Sequence, residues 1–292
     1  MATEIVRLER AEWTGPAADE LAGAAIVALE AGHVIFLPKL RFEAQTEEAV
    51  LFTPRILGHS KNASYDPATD RISGTTASGS DADRLQRFMR RFGDAAFALV
   101  ASLCPSYRGR IERRRASFRP AEIAGRATTW RKDDTRLHVD SFPANPSGGR
   151  RILRVFTNVN PEGRARSWRV GDDFDRVVER FAPALRMPLP GLGHLLRLAH
   201  VTKGVRTPYD TLMLQLHDRM KLDADFQARS PQRAFDFPAS STWMAFTDQA
   251  SHAAMAGQYQ LEQTFLLPVD AMRDPARSPL RILERVTGKR LT

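Results

Sequence analysis

A single cysteine, Cys104, stands in a chain of 292 residues. An internal disulfide and any cysteine-based zinc site are thereby excluded, and Cys104 reads as a buried, inert thiol in a reducing cytoplasm. No run of about 18 apolar residues occurs, so no transmembrane helix is expected. The opening MATEIVRLER has no apolar stretch behind its charges and does not read as a secretory signal. Internal repeats and low-complexity tracts are also missing. Lysine is scarce beside arginine, yet the formal net charge is +9 and the isoelectric point about 10.3. Arginine presents a planar fork suited to carboxylate and phosphate. Nucleic acid, an anionic membrane surface and a small acidic substrate are all partners that such a charge would suit. Hydrophobic residues make up 42% of the chain, enough for a sizeable core, and the length allows one large domain or two small ones.

The residue pattern predicts helices first and strands later. Residues 16–31 (PAADELAGAAIVALEA) predict a helix, and residues 33–37 (HVIFL) a strand ended by Pro38. Residues 62–80 are rich in Ser, Thr, Gly and Asp and predict a loop. A helix from Asp81 to about Leu103 follows, with Leu85, Phe88, Met89, Phe92, Ala96, Leu99 and Leu103 at helical spacing. Strands are predicted near 112–119, 126–131, 137–139 and 150–159, then helices near 171–182 and 208–222, then strands at 241–246 and 258–267. That order suits an α+β chain with a jelly-roll barrel at its centre.

Two distant segments carry the chemistry. His138-Val139-Asp140 is an HxD tripeptide, and His252 lies 112 residues beyond Asp140. In extended backbone, positions i and i+2 share a side, so His138 and Asp140 are neighbours while Leu137 and Val139 face packing. Pro143, Pro146, Gly148 and Gly149 then break the strand. His252 closes a TDQxSH loop between two strands, ahead of a turn at Gly257. Two imidazoles and one carboxylate hold one face of a divalent metal and leave about three positions open, the choice of non-heme Fe(II) oxygenases. Zinc hydrolases also use two histidines and a carboxylate, so ligand identity alone leaves hydrolysis open.

An oxygenase using 2-oxoglutarate needs a cation for the distal carboxylate, because burying that charge unpaired is prohibitive. The segment about ten residues past His252 holds Glu262, Gln263 and Thr264, with no cation. Arg154 is the first candidate, a charge inside an otherwise apolar strand. Arg119, just before Pro120, is the second, and Thr157, Asn158 and Gln263 could add neutral hydrogen bonds.

The stretch His138-Val139-Asp140-Ser141-Phe142-Pro143, the strand Arg151 to Asn160, the segment YDTLMLQLHDRMKLDADFQ and the tail TWMAFTDQASHAAMAGQYQLEQTFLLP together resemble the Kdo hydroxylases. Kdo is the acidic octulosonic sugar joining lipid A to the core of Gram-negative lipopolysaccharide. The resemblance covers residues 110–270 and implies an Fe(II)/2-oxoglutarate dioxygenase with a double-stranded β-helix core, flanked by N-terminal and inserted helices. It implies His138, Asp140 and His252 as iron ligands, O2 as oxidant, ascorbate as a helpful addition in vitro, and hydroxylation of Kdo C3 on a lipid A precursor to give Ko. Arg126, Arg131, Lys132 and Arg136, just before the iron motif, could steer the anionic sugar. A lipid-linked substrate implies a cytoplasmic enzyme bound peripherally to the inner membrane, and a homo-oligomer is compatible with the pattern. The chain is expected to be one domain: residues 1–110 helix-rich, 111–270 the core with an insert at 171–222, and 271–292 an extension. His217 reads as structural or substrate-contacting, and His33, His59, His194 and His200 carry no ligand role.

Three other functions compete. One is a 2-oxoglutarate oxygenase for another small acid or for protein. A nucleic-acid-binding protein would explain the charge, but no zinc finger, RNP-like motif or basic aromatic helix occurs, and no nucleic-acid partner is expected. The third is a metal-free, sugar-binding jelly roll.

Overall fold

The computed structural model describes residues 3–126 and 128–292. In chain order the elements are β1 (Ile5–Arg7), α1 (Asp19–Glu30), β2 (Val34–Leu37), β3 (Ala63–Asp66), β4 (Arg71–Ser73), α2 (Gly79–Leu103), β5 (Glu112–Arg119), β6 (Arg151–Asn158), β7 (Arg166–Val170) and α3 (Phe174–Phe181). They continue with α4 (Leu192–Leu198), α5 (Pro208–Leu222), α6 (Ala224–Arg229), β8 (Arg233–Phe237), β9 (Ser241–Phe246), β10 (His252–Ala256), β11 (Gln260–Leu267) and α7 (Pro279–Thr287). Among the described residues no helix is long and apolar enough to cross a membrane.

Two sheets carry the site. The larger runs β1-β2-β9-β6-β11-β5-β3-β4, and the smaller runs β10-β7-β8. Pairing is antiparallel throughout, except that β1 lies parallel to β2. The segment before residue 110 therefore does more than supply helices: four of its strands extend the larger sheet. Helix α2 buries Leu85, Phe88, Met89, Phe92, Ala96, Leu99 and Leu103, the stripe expected from their spacing. Phe88 meets Phe118 of β5 edge to face at 5.4 Å between ring centroids. A second core fills the space between the sheets. There Trp243 stacks on Phe237 at 4.1 Å and on Phe156 at 5.5 Å, with Trp168 edge-on to both Phe156 and Trp243. Truncating a buried ring of this kind costs about 3–5 kcal/mol, so this aromatic block fixes how the two sheets face each other.

Several sequence expectations need correction. Residues 62–80 are not a plain loop: they contain the β3–β4 hairpin, held because β3 pairs with β5. Turn-forming residues dominate the composition there, and strands of four and three residues leave too little alternation to detect. The strand expected at 126–131 is absent among its described residues, where Trp130–Lys132 forms a 3₁₀ turn; Ala127 lies outside the described residues. Residues 137–139 form no named strand, and His138 makes only an isolated bridge to His252. By contrast α5 spans Pro208–Leu222 as expected, because Thr207 and Asp210 form a reciprocal capping box with Pro208 in the first turn.

Candidate metal centre

The HxD segment and the TDQxSH loop are held together by backbone first. The His138 N–H donates to the His252 carbonyl at 3.0 Å, and the His252 N–H donates to the His138 carbonyl at 2.9 Å. Two residues on, the Asp140 N–H donates to the Thr247 carbonyl at 2.7 Å. The loop is in turn gripped from below. The guanidinium of Arg151 donates to Asp248 Oδ2 at 2.9 Å and to Gln249 Oε1 at 2.6 Å, and the Gly171 N–H donates to the Ser251 carbonyl at 2.8 Å. Gly171 is required at that point, since a Cβ there would lie 2.6 Å from Ser251 Oγ. Asp248 and Gln249 hold the loop through their side chains and Thr247 and Ser251 through their backbone carbonyls, and the sum places His252 opposite His138.

Candidate ligand atoms of His138, Asp140 and His252 all lie within 4.8 Å of one another. Both imidazoles are oriented the same way. His138 Nδ1 meets the Arg136 carbonyl at 2.7 Å, and His252 Nδ1 meets the Ala250 carbonyl at 2.8 Å. A carbonyl oxygen only accepts, so each Nδ1 carries the proton and each Nε2 keeps a free lone pair. Burial depresses both histidines below their usual value, so both are neutral; for His138 the neighbouring His252 adds to this, while for His252 the carboxylate of Asp140 opposes it. Burial pushes the Asp140 carboxyl up, but the Arg154 cation more than reverses this and holds it ionised well below the usual carboxylate range. Its Oδ2 is buried without a hydrogen bond. Two neutral imidazoles with aimed lone pairs and one ionised, under-satisfied carboxylate fit a divalent metal. Trp168 closes one side by stacking on His252 at 5.1 Å.

The three residues face a cavity of about 620 Å³. Seven cations line it against four carboxylates, so its preferred guest is anionic. Lys61, Asp134, Arg119, Glu262, Arg154 and Asp140 form a continuous ionic chain along the wall. Asp134 meets Lys61 at 3.0 Å and Arg119 at 3.6 Å, and Glu262 meets Arg119 at 3.0 Å and Arg154 at 3.2 Å. Arg154 then reaches Asp140 Oδ2 at 3.3 Å. Arg131 and Lys132 also line the cavity, as does His217, whose ring stands 5.3 Å from that of His138.

Other residues singled out from the sequence lie elsewhere. Thr157 Oγ1 donates to the Ser241 carbonyl, and Asn158 Nδ2 donates to the carbonyls of Arg164 and Phe237. Gln263 faces away from the cavity, where its amide donates to the Arg114 carbonyl and accepts from Arg113. None of these three lines the cavity, and each has its polar groups engaged in structure. Arg136 pairs with Asp133 and donates to the Lys221 carbonyl, and Arg126 is likewise no part of the wall. Several wall residues were not evident from the sequence, among them Lys61, Phe156, Lys221 and, both on β7, Arg166 and Trp168. The signal was the alternation in Arg166-Ser167-Trp168-Arg169-Val170, where every second residue is buried. Arg166 is 1% exposed, has its Nε without a partner, and donates through Nη1 to the Gly257 carbonyl. Burial, reinforced by the Arg119 cation, pulls it down to about 9.

A family model described as 3-deoxy-D-manno-oct-2-ulosonic acid (Kdo) hydroxylase matches residues 12–290. Among solved structures, the Kdo hydroxylase KdoO, a non-heme Fe(II) α-ketoglutarate-dependent dioxygenase, in complex with α-ketoglutarate and Fe(III), is 46% identical with a TM-score of 0.96, covering 99% of this chain and 98% of that one. The same protein in complex with cobalt(II) has 46% identity and a TM-score of 0.96 over 98% and 97% of the two chains. Its complex with succinate and Fe(III) has a TM-score of 0.95 at the same identity and coverage. A search of curated protein sequences found no match.

Proposed function

The chain belongs to the Kdo hydroxylase family, and from that premise we propose that it is an Fe(II)- and α-ketoglutarate-dependent dioxygenase that hydroxylates Kdo. The observation that carries this is the meeting of His138, Asp140 and His252, with both imidazoles turned by backbone carbonyls so that Nε2 faces the shared point. Those three residues would hold the metal. A metal held there would let O2 act as oxidant, with one oxygen atom replacing a sugar C–H by C–OH and the other entering succinate as α-ketoglutarate loses CO2.

The chain's own residues bind, orient and exclude water. Arg119, Arg154 and Arg166 are the wall arginines placed to hold the distal carboxylate of α-ketoglutarate, and Arg119 already pairs with Glu262 and Asp134. Arg154 already faces two carboxylates, Asp140 and Glu262, which suits it to orienting Asp140. Arg166 lines the same cavity and, unlike the other two, has no carboxylate in ion-pair contact among the described residues; an unpartnered buried Nε is common to all three. A buried cation lacking a counterion is the better receptor for a carboxylate, so the distal carboxylate is assigned to Arg166. Arg166→Met is expected to raise the KM for α-ketoglutarate by ~30-fold or more, the ~2 kcal/mol scale of losing one partner of a buried charge pair. Arg154→Met is expected to act on metal affinity and kcat instead. A large KM effect in Arg154→Met with none in Arg166→Met would return the anchor to Arg154. Lys61, Lys221, Arg131 and Lys132 supply positive charge for the sugar carboxylate, and Trp168, Phe142 and Phe156 form apolar wall that keeps water out.

Finer assignments follow the same reading. The substrate is Kdo on a lipid A precursor, hydroxylated at C3 to Ko at the cytoplasmic face of the inner membrane of a Gram-negative bacterium. The core is a double-stranded β-helix. In support, the segment carrying the HxD motif bridges to β10, and β10-β7-β8 stands opposite β2-β9-β6 across the aromatic block. The test is mass spectrometry of a Kdo-lipid incubated with enzyme, Fe(II), α-ketoglutarate and ascorbate. One oxygen atom should be gained per succinate released. Succinate release without oxygen gain on any Kdo sugar would point to another acidic substrate.

A further inference from the structure

Residues 183–207 carry Arg186, Arg197, Lys203 and Arg206 and not one Asp or Glu. The same segment holds Met187, Leu189, Leu195, Leu198 and Val201, five of the ten exposed large hydrophobic side chains among the described residues. Leu189 is 77% exposed, Leu195 60% and Leu198 78%. In α4, Leu192, Leu195 and Leu198 recur at three-residue spacing, so they line one stripe of the helix. A surface helix of a globular protein turns such a stripe inward; here two of its three leucines face water.

The protrusion is built rather than loose. Its start is clamped to α5, where the Arg186 N–H donates to Gln215 Oε1 at 2.8 Å and Gln215 Nε2 donates back to the Arg186 carbonyl at 2.7 Å. Gly193 lies against the backbone of Arg206 with no room for a side chain. The returning strand of chain is tied to the cavity mouth. The Lys203 N–H donates to the Ala144 carbonyl at 2.9 Å, and the Arg206 guanidinium donates to the carbonyl of Pro143, which itself lines the metal-site cavity. The apolar segment is therefore anchored at both ends beside the rim of the site.

We propose that residues 187–201 dock the enzyme onto an anionic lipid surface and hold the cavity mouth against it. Apolar side chains beside cations, without acids, are what an interfacial element needs: the leucines enter the acyl boundary and the arginines stay at the headgroups. Two copies of this chain meeting isologously through the patch would bring two sets of cations into one interface with no acid of this segment to pair them. The consequence for turnover rests on the proposed activity toward a lipid-linked acidic sugar.

Cosedimentation of the full-length protein with phosphatidylcholine vesicles, with and without phosphatidylglycerol, tests this. Binding should be at least about tenfold stronger to the anionic vesicles, as a few basic side chains near such a surface provide. Leu195→Ser/Leu198→Ser and, separately, Arg197→Glu should each lower that binding about tenfold. The leucine variant should turn over a delipidated Kdo sugar at the wild-type rate, yet lose turnover of a vesicle-embedded Kdo-lipid. Equal vesicle binding by wild type and both variants, or no binding by wild type, would overturn the proposal. So would a wild-type dimer in light scattering that becomes monomeric in the leucine variant, which would make this face a self-association surface. Vesicle binding as expected, with no Kdo sugar turned over by the wild type, would uphold the docking element and sink the activity assignment instead.

Discussion

Asp140→Ala is expected to abolish oxygen transfer and to weaken Co(II) or Fe(II) binding by more than the roughly 10–100-fold that loss of an outer-sphere partner costs. Asp140 is the only anion of the three-residue set, with Oδ1 3.8 Å from His138 Nε2. Its removal takes away a ligand and also uncovers charge. Arg154 would then face the metal site with only Glu262 to balance it, so a divalent cation would meet a nearby positive group. His252→Ala should act similarly by removing an Nε2 donor, but without the added repulsion. The measurement is a titration of the anaerobic protein with Co(II), followed by its visible absorption, beside a succinate-release assay. An Asp140→Ala protein that melts like the wild type yet binds Co(II) with unchanged affinity would defeat the metal-centre assignment.

Arg151→Met is expected to destabilise the fold by about 3–5 kcal/mol, the scale of breaking one side of a buried ion pair. Arg151 and Asp248 are both essentially inaccessible to water, with Arg151 Nε 2.9 Å from Asp248 Oδ2 and its guanidinium 3.9 Å over the Phe246 ring. Burial already pushes the Asp248 carboxyl up against the pull of Arg151, so stripping the cation removes its counterion and leaves only backbone N–H groups to hold its charge inside the core. Arg151 also grips Gln249, so the loop that delivers His252 loses two anchors at once. Urea denaturation of the apo-protein should show the loss, and the double variant Arg151→Met/Asp248→Leu should recover a large part of it, because apolar replacement of both partners removes the uncompensated charge. A single variant as stable as the wild type would show that the pair contributes nothing to holding the loop.

The parts of this molecule that were legible in the amino-acid order are those governed by local rules. The Thr207 capping box and Pro208 define where α5 starts, and the stripe from Leu85 to Leu103 defines which face of α2 is buried. The HxD spacing puts His138 and Asp140 on one side wherever the backbone is extended, whatever surrounds it. The TDQxSH loop was visible as a motif, but the task of each residue was not. Asp248 and Gln249 matter because Arg151, about a hundred positions earlier, comes to lie beneath them. The β3–β4 hairpin was missed because its strands are stable only as an extension of β5.

The chemical kind of the site, two imidazoles and a carboxylate at an open metal face, came from residue identity and spacing. Which charged and polar side chains serve it came from the assembled sheets. A strand presents alternate residues to opposite faces, so a choice between Glu262 and Gln263, or between Phe156 and Thr157, is settled by which face the partner strands enclose. Arg166 belongs to the cavity because β7 lies between β10 and β8, pairings that span 63 to 89 residues of chain and so leave no local trace.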